Sequence, residues 1–510
     1  MRKPPARIFI ALSLLVSLFG SLGTAPLVSA QWQTKVDPQL LSSAAQGEME
    51  FLVFLKDQAD LSGAAQLKTR LEKGRYVYDR LTATAQRSQG PVIAALAALG
   101  AAYRPYWVAN IIWVRGDQRV LQALAQRSDV SHLYENPAVH LDPLPEPAQT
   151  FAPAAPEAIE WNISKVNAPQ VWSAGFTGQG VVIGGQDTGY LWDHAALKDK
   201  YRGWDGSSAD HNYNWHDAIH SGGGSCGANS PQPCDDYGHG THTMGTMVGD
   251  DGQGNQIGMA PGAKWIGCRN MDQGTGSPAT YTECFQWFLA PTNLSDQNAD
   301  PAKAPDIINN SWGCPPQEGC SWDSLQTVIA NVRAAGILVV VSAGNGGSSC
   351  NLVTDPPAVY AASFTVGATD PNDAIASFSS RGPALNTGLL TPDVTAPGTP
   401  IRSSTRYSTT SYGLMQGTSM AAPHVAGLAA LLISAQPSLA GQPALLESLI
   451  TRTSVPLTTA QTCGARSSAE ARRSGVRWGR AGSSSSRTER CSVIVDSAAS
   501  TRHPRASRRR

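Results

Sequence analysis

Residues 417–432 read Gly-Thr-Ser-Met-Ala-Ala-Pro-His-Val-Ala-Gly-Leu-Ala-Ala-Leu-Leu. A run so uniformly small and apolar is expected as a helix buried on nearly every side. Pro423 is placed in the first turn of that helix, where a missing N–H costs little. Ser419 then stands at the N-terminal end, where unpaired amides and the positive end of the helix dipole favour negative charge. A serine hydroxyl is a poor nucleophile unless a base takes its proton. The rest of the chain therefore matters for whether it supplies one.

Candidates lie upstream. Asp187 ends the apolar segment 181–186 and precedes Thr188-Gly189, and His239 opens His239-Gly240-Thr241-His242. A fourth element, Val341-Ser342-Ala343-Gly344-Asn345-Gly346-Gly347, sets an amide side chain at the end of an apolar strand. By residue type alone Asn345 could equally be a turn residue tolerating left-handed geometry. Short β-branched runs at 181–186, 265–269, 306–309, 337–342 and 363–368 alternate with helical periodicity. That alternation predicts an α/β domain, a parallel central sheet with helices on both faces. Chemistry then belongs at the carboxyl ends of the strands, where Asp187, Ser311 and Asn345 fall.

Asp-Thr-Gly, His-Gly-Thr-His and Gly-Thr-Ser-Met-Ala-x-Pro-His, in that order, resemble the motifs of the subtilisin-like serine proteases. The segments Glu160-Trp161-Asn162, Gly258 to Trp265 and Asn309-Asn310-Ser311-Trp312-Gly313 resemble the bacillopeptidase F branch of that family. The resemblance implies an Asp187–His239–Ser419 triad, with Asn345 as the oxyanion donor. It also implies that Ser311, Trp312 and Gly313 line the first specificity pocket. His242 and His424 are expected to be structural. Asp235 and Asp236 are expected in a solvated loop, with a calcium contact as the alternative. Ala421 stands where an esterase nucleophile elbow would carry its second glycine. With glycine rather than an acid beside Asn345, the expected substrate preference is apolar or aromatic.

Arg2, Lys3 and Arg7 precede an apolar run at 8–19 and the small residues Val28-Ser29-Ala30, so residues 1–30 read as a signal peptide. Residues 31–142 read as a small α+β domain, which the resemblance makes an inhibitory propeptide and which composition alone leaves open as a binding or adhesion module. Phe51, Val53 and Leu55 alternate there as in a half-buried strand, and residues 108–114 read as a second strand. Residues 143–159 are a proline-rich linker, 160–464 the peptidase domain, and 465–510 an Arg/Ser-rich tail read as disordered or frame-shifted. That tail carries twelve arginines against three acids, but only Trp478 as an aromatic, so nucleic acid is not expected as a partner.

Nine cysteines fit an oxidising destination. Cys226 with Cys234 and Cys314 with Cys320 are expected as local bridges. Cys268, Cys284, Cys350 and Cys463 are expected to form two more, of open connectivity. No histidines accompany them at zinc-ligand spacing, so no metal ligand is assigned. The chemistry requires no cofactor. Calcium is a common structural ion in the family, and the loop 250–255 offers oxygen ligands for it, with a polar surface turn as the alternative. The expected product is a secreted, monomeric, self-processing endopeptidase acting on proteins or peptides, free of the membrane once its signal is cut. The alternative is a secreted, protease-like binding protein whose domain is impaired by the aberrant C-terminus.

Overall fold

The computed structural model describes residues 31–44, 46–141, 159–457 and 463. The signal peptide, most of the linker and the Arg/Ser tail lie outside them.

The first domain opens with α1 (Pro38–Ser43), capped by the Asp37 carboxylate, which accepts from Gln39 N. Strand β1 (Met49–Leu55) leads to α2 (Arg70–Ser88), whose first turn is closed by a Thr69/Glu72 capping box. Helix α3 (Gly90–Leu99) stops at Gly100, which takes the left-handed φ of 71° that ends many helices. Strands β2 (Ala102–Tyr106) and β3 (Ile111–Gly116), helix α4 (Gln118–Ala125) and strand β4 (Val130–Glu135) complete the unit. The sheet order is β2-β3-β1-β4, antiparallel throughout.

Strand β1 departs from expectation, because Phe51 to Leu55 are buried on both faces. Phe51, Val53 and Leu55 join the domain's own core with Ile112, Val114, Leu121 and Leu124. Leu52 and Phe54 enter a larger core shared with the second domain, among them Phe285 and Val328. The alternation was real, but its second face is covered by the neighbouring domain.

A short strand β5 (Val139–His140) follows, and then the larger domain: α5 (Trp161–Lys165), α6 (Ala168–Ser173), β6 (Val182–Asp187), β7 (Trp215–Asp217), α7 (His239–Val248), β8 (Lys264–Arg269), β9 (Met271–Asp272), β10 (Thr275–Gly276), α8 (Pro278–Leu289) and β11 (Ile307–Asn310). Helix α9 (Gln326–Ala334), strands β12 (Leu338–Ser342), β13 (Phe364–Thr369) and β14 (Val394–Pro397), the hairpin β15 (Ile401–Ser404) and β16 (Tyr412–Met415), α10 (Thr418–Ala435) and α11 (Pro443–Thr453) complete it. Seven parallel strands run in the order β14-β13-β12-β11-β6-β8-β7. Five of them match the expected strands. The additions, β7 and β14, are short edge strands, and at an edge Pro397 removes no ladder bond.

Helix α10 runs along the sheet and packs on α7, while α8 and α9 pack on each other and against the sheet and the first domain. At 18 residues and a mean hydropathy of 1.4, α10 has the length and apolarity to cross a bilayer. Here 78% of it is buried inside the protein. Both local disulfides form as expected, and the open pairs resolve as Cys268–Cys284 and Cys350–Cys463.

Candidate active site

Pro423 is the sixth residue of α10, not part of its first turn. A proline there cannot bond the carbonyl four residues back, which is that of Ser419. The Ser311 hydroxyl donates to that carbonyl instead, at 2.9 Å, and the Ser419 hydroxyl donates to the Ser311 carbonyl at the same distance. This reciprocal pair binds the start of α10 to the end of β11. The proline is thus part of how the serine is held.

At the end of β6, Asp187 is 1% exposed, and its Oδ1 takes the Thr188 amide at 2.8 Å and His239 Nδ1 at 2.7 Å. A carboxylate can only accept here, so Nδ1 carries the proton and Nε2 is left as the basic atom of the ring. Helix α7 comes this close because residue 240 is glycine: an added Cβ would stand 2.1 Å from the Gly189 carbonyl oxygen. Asp235 fastens the same corner. Its carboxylate accepts from the Thr188 hydroxyl at 2.9 Å, from the amides of Tyr237, Gly238 and Thr241, and from the Thr241 hydroxyl.

Asp235 and Asp236 are buried rather than solvated, a correction to the sequence reading. Burial pushes the Asp236 carboxyl up to about 6, against the pull of the Gln273 amide and of Arg269. Asp236 is held inside the protein by Arg269, which is fully buried at the end of β8 and needs counter-charges. It pairs with Asp217 at 2.9 Å and with Asp236 at 3.1 Å, anchoring the long loop before α7 to the sheet.

His242 shares the helix with His239 but not its surroundings. It is buried, its Nε2 donates to the Ile401 and Gly413 carbonyls, and burial holds its pKa down to about 3. His424 donates from Nδ1 to the Met420 carbonyl and accepts at Nε2 from Asn162, and burial lowers it to about 4. Both are packing residues, as expected.

The side-chain oxygen of Asn345 accepts from the Thr418 amide and hydroxyl, each at 3.0 Å. Its Nδ2 is therefore the end with protons to give. His239, Ser311, Trp312, Gly313, Asn345 and Ser419 all line one cavity of about 170 Å³. Trp312 is mostly buried, stacked 3.9 Å from the Tyr281 ring, with Nε1 donating to the Gln186 carbonyl. Three contributors were not foreseen. His140 and Leu141 reach the cavity from the first domain, and Asp355 reaches it from beyond β12. The signal for Asp355 was faint: an acid ten residues past Asn345, followed by two prolines.

The loop 250–255 does not suit a calcium ion. Asp251 already accepts from the Gln253 and Asn255 amides, the Asn255 side chain and the Tyr412 hydroxyl. The Asn255 side-chain oxygen Oδ1 accepts from Arg402, whose positive charge faces the same spot.

A model of the subtilase family matches residues 178–479. Bacillopeptidase F of Bacillus subtilis (strain 168) is 36% identical over 462 residues, which is 84% of this chain but 31% of the length of that relative. Subtilisin Savinase of Lederbergia lenta is 31% identical over 283 residues, 55% of this chain and 87% of the relative. Subtilisin E of Bacillus subtilis (strain 168) is 29% identical over 390 residues, 76% and 87% of the two chains. A match over more than half of the sequence, with those relatives beside it, makes this chain a member of the subtilase family of serine endopeptidases.

Proposed function

We propose that this protein is a secreted serine endopeptidase, made as a precursor and matured by its own active site. The observation that carries the reading is the 2.7 Å bond between His239 and buried Asp187, in a cavity that Ser419 and Asn345 also line. In this mechanism the Ser419 hydroxyl turns from the Ser311 carbonyl to His239 Nε2, which takes its proton as Oγ attacks the peptide carbonyl. Asp187 keeps the ring in the required tautomer and stabilises the imidazolium. Asn345 Nδ2, beside the amides at the start of α10, donates to the oxyanion. His239 then protonates the leaving amine, and water releases the acyl group.

The end of the first domain supports its role as an intramolecular inhibitor. Strand β5 pairs antiparallel with β10, and the Leu141 amide donates to the Gly274 carbonyl at 2.9 Å. A peptide adding a strand to an open edge is a common recognition mode, and here it delivers His140 and Leu141 to the cavity. Four disulfides in the larger domain support an oxidising destination. No observation favours the inactive, binding-only alternative.

The secreted protein should hydrolyse a chromogenic peptide, and a serine-acylating inhibitor should stop it. Ser419→Ala should lower turnover by about 10⁶, the scale set by the nucleophile of subtilisin, a relative. A variant that keeps its rate would end the proposal.

A further inference from the structure

We propose that Asp355 makes the first specificity pocket select lysine or arginine as the residue preceding the scissile bond. The inference rests on the endopeptidase reading above and names its substrate class. It reverses the apolar preference expected from the glycine after Asn345.

Asp355 lies in the turn after β12 and lines the cavity together with Ser311, Gly313, Ser342 and Gly344. Two glycines open the space around its carboxylate. A Cβ added at Gly313 would lie 3.2 Å from Asp355 Cβ and 3.5 Å from Oδ2, and one at Gly344 would lie 3.7 Å from the same oxygen. Oδ2 is therefore set between the two glycine walls, where a larger side chain on either would crowd it. The acid is held in place as well. Thr354 Oγ1 donates to Oδ1 at 2.6 Å, and the Ala358 amide bonds the Asp355 carbonyl. The Cys314 amide bonds the Pro356 carbonyl at 2.7 Å, fixing this turn against the wall that carries Gly313.

Among the described residues lining the cavity, Asp355 is the acid. A carboxylate in a partly enclosed cleft attracts a cation more strongly than it would in bulk water. A guanidinium can meet it with two parallel bonds, an ammonium with one. An aromatic ring in the same place would strip water from the carboxylate and return no hydrogen bond.

The test uses secreted protein from the full chain and matched peptides differing only in the residue before the scissile bond. Arginine or lysine there should give kcat/KM at least about tenfold above phenylalanine or leucine. Asp355→Asn should lower the basic substrates by about 10–100-fold while leaving the apolar ones unchanged or improved. Asp355→Glu should retain the basic preference. Benzamidine should compete with substrate on the unsubstituted enzyme and weaken about tenfold or more on Asp355→Asn. An enzyme that favours phenylalanine or leucine overturns the inference and leaves the endopeptidase reading standing. So does an Asp355→Asn variant that loses both substrate classes equally, since that is the behaviour of a purely structural residue. A protein that cleaves none of the peptides and is not labelled by a serine-acylating probe overturns both.

Discussion

The two domains are held together by different means. Among the described residues the four disulfides all lie in the larger domain, whereas residues 31–141 contain no cysteine. The larger domain encloses its sheet between its own helices. The smaller one completes its core only by sharing Leu52, Phe54, Val77 and Leu81 with the partner domain. A domain of about 110 residues that leaves one sheet face to a neighbour is stable chiefly while docked. The difference suits a part that is released from a part that remains. Its docked end contributes His140 and Leu141 to the cavity, so, under the proposed maturation, chemistry at Ser419 would decide whether the small domain is retained.

With the nucleophile left in place, the largest expected effect breaks that link. Asp187→Asn replaces the acceptor-only carboxylate with an amide that can donate to Nδ1, which favours the wrong His239 tautomer and should lower turnover by about 10⁴. The precursor should then keep its small domain, seen as a single uncut mass. If the small domain is still lost at the ordinary rate, some other protease removes it, and the asymmetry between the domains says nothing about self-processing.

Asn345→Ala comes next. Losing one oxyanion donor should cost about 10²–10³ in turnover, the size found in subtilisin, a relative. Maturation should slow in proportion to peptide hydrolysis, because one site would perform both reactions. Disproportionate slowing of either would separate them.

Acid should affect the larger domain first. His242 and His424 have pKa values near 3 and 4, lowered by burial from about 6.5 in the unfolded chain. The folded state thus binds fewer protons between those limits. Their stabilisation is whole above about pH 6.5 and is lost as pH falls towards 4 and 3. At pH 4.5 the loss is on the order of 2–3 kcal/mol for each. Urea melts of the Ser419→Ala precursor at pH 7.5 and 4.5 should show it, and His424→Gln should narrow the gap. Equal midpoints at the two pH values would rule the mechanism out.

How much of this was legible in the sequence depends on how local each signal is. Five strands, α10 and the motif residues were readable because apolar periodicity and fixed small-residue neighbours are properties of a short window. The burial of Asp235 and Asp236 was not, since their partners Thr241 and Arg269 meet them only after folding. Asp355 was missed for the same reason: the sequence sets it ten residues from Asn345, and only the turn carries it back to the cavity. Pro423 was misplaced by one turn because its compensating donor, Ser311, comes from another strand.

The smallest expected effect sharpens the comparison at the seam itself. Glu283 of α8 accepts from Arg104 and Tyr106 of the small domain, each at 3.0 Å, and from His216 and His220 of its own domain at 3.0 and 2.7 Å. Burial alone would raise this carboxyl, but the two histidine bonds hold it well below the usual carboxylate range. Glu283 therefore stays ionised and satisfied from its own side even when one donor from the small domain is lost. Tyr106→Phe deletes that donor with little change in shape and should cost about 1 kcal/mol. In the Ser419→Ala precursor the cost should fall on the small domain's unfolding, with the larger domain's midpoint unmoved. If both midpoints drop together, the two domains form one cooperative unit, and the smaller is a true part of the core rather than a docked one.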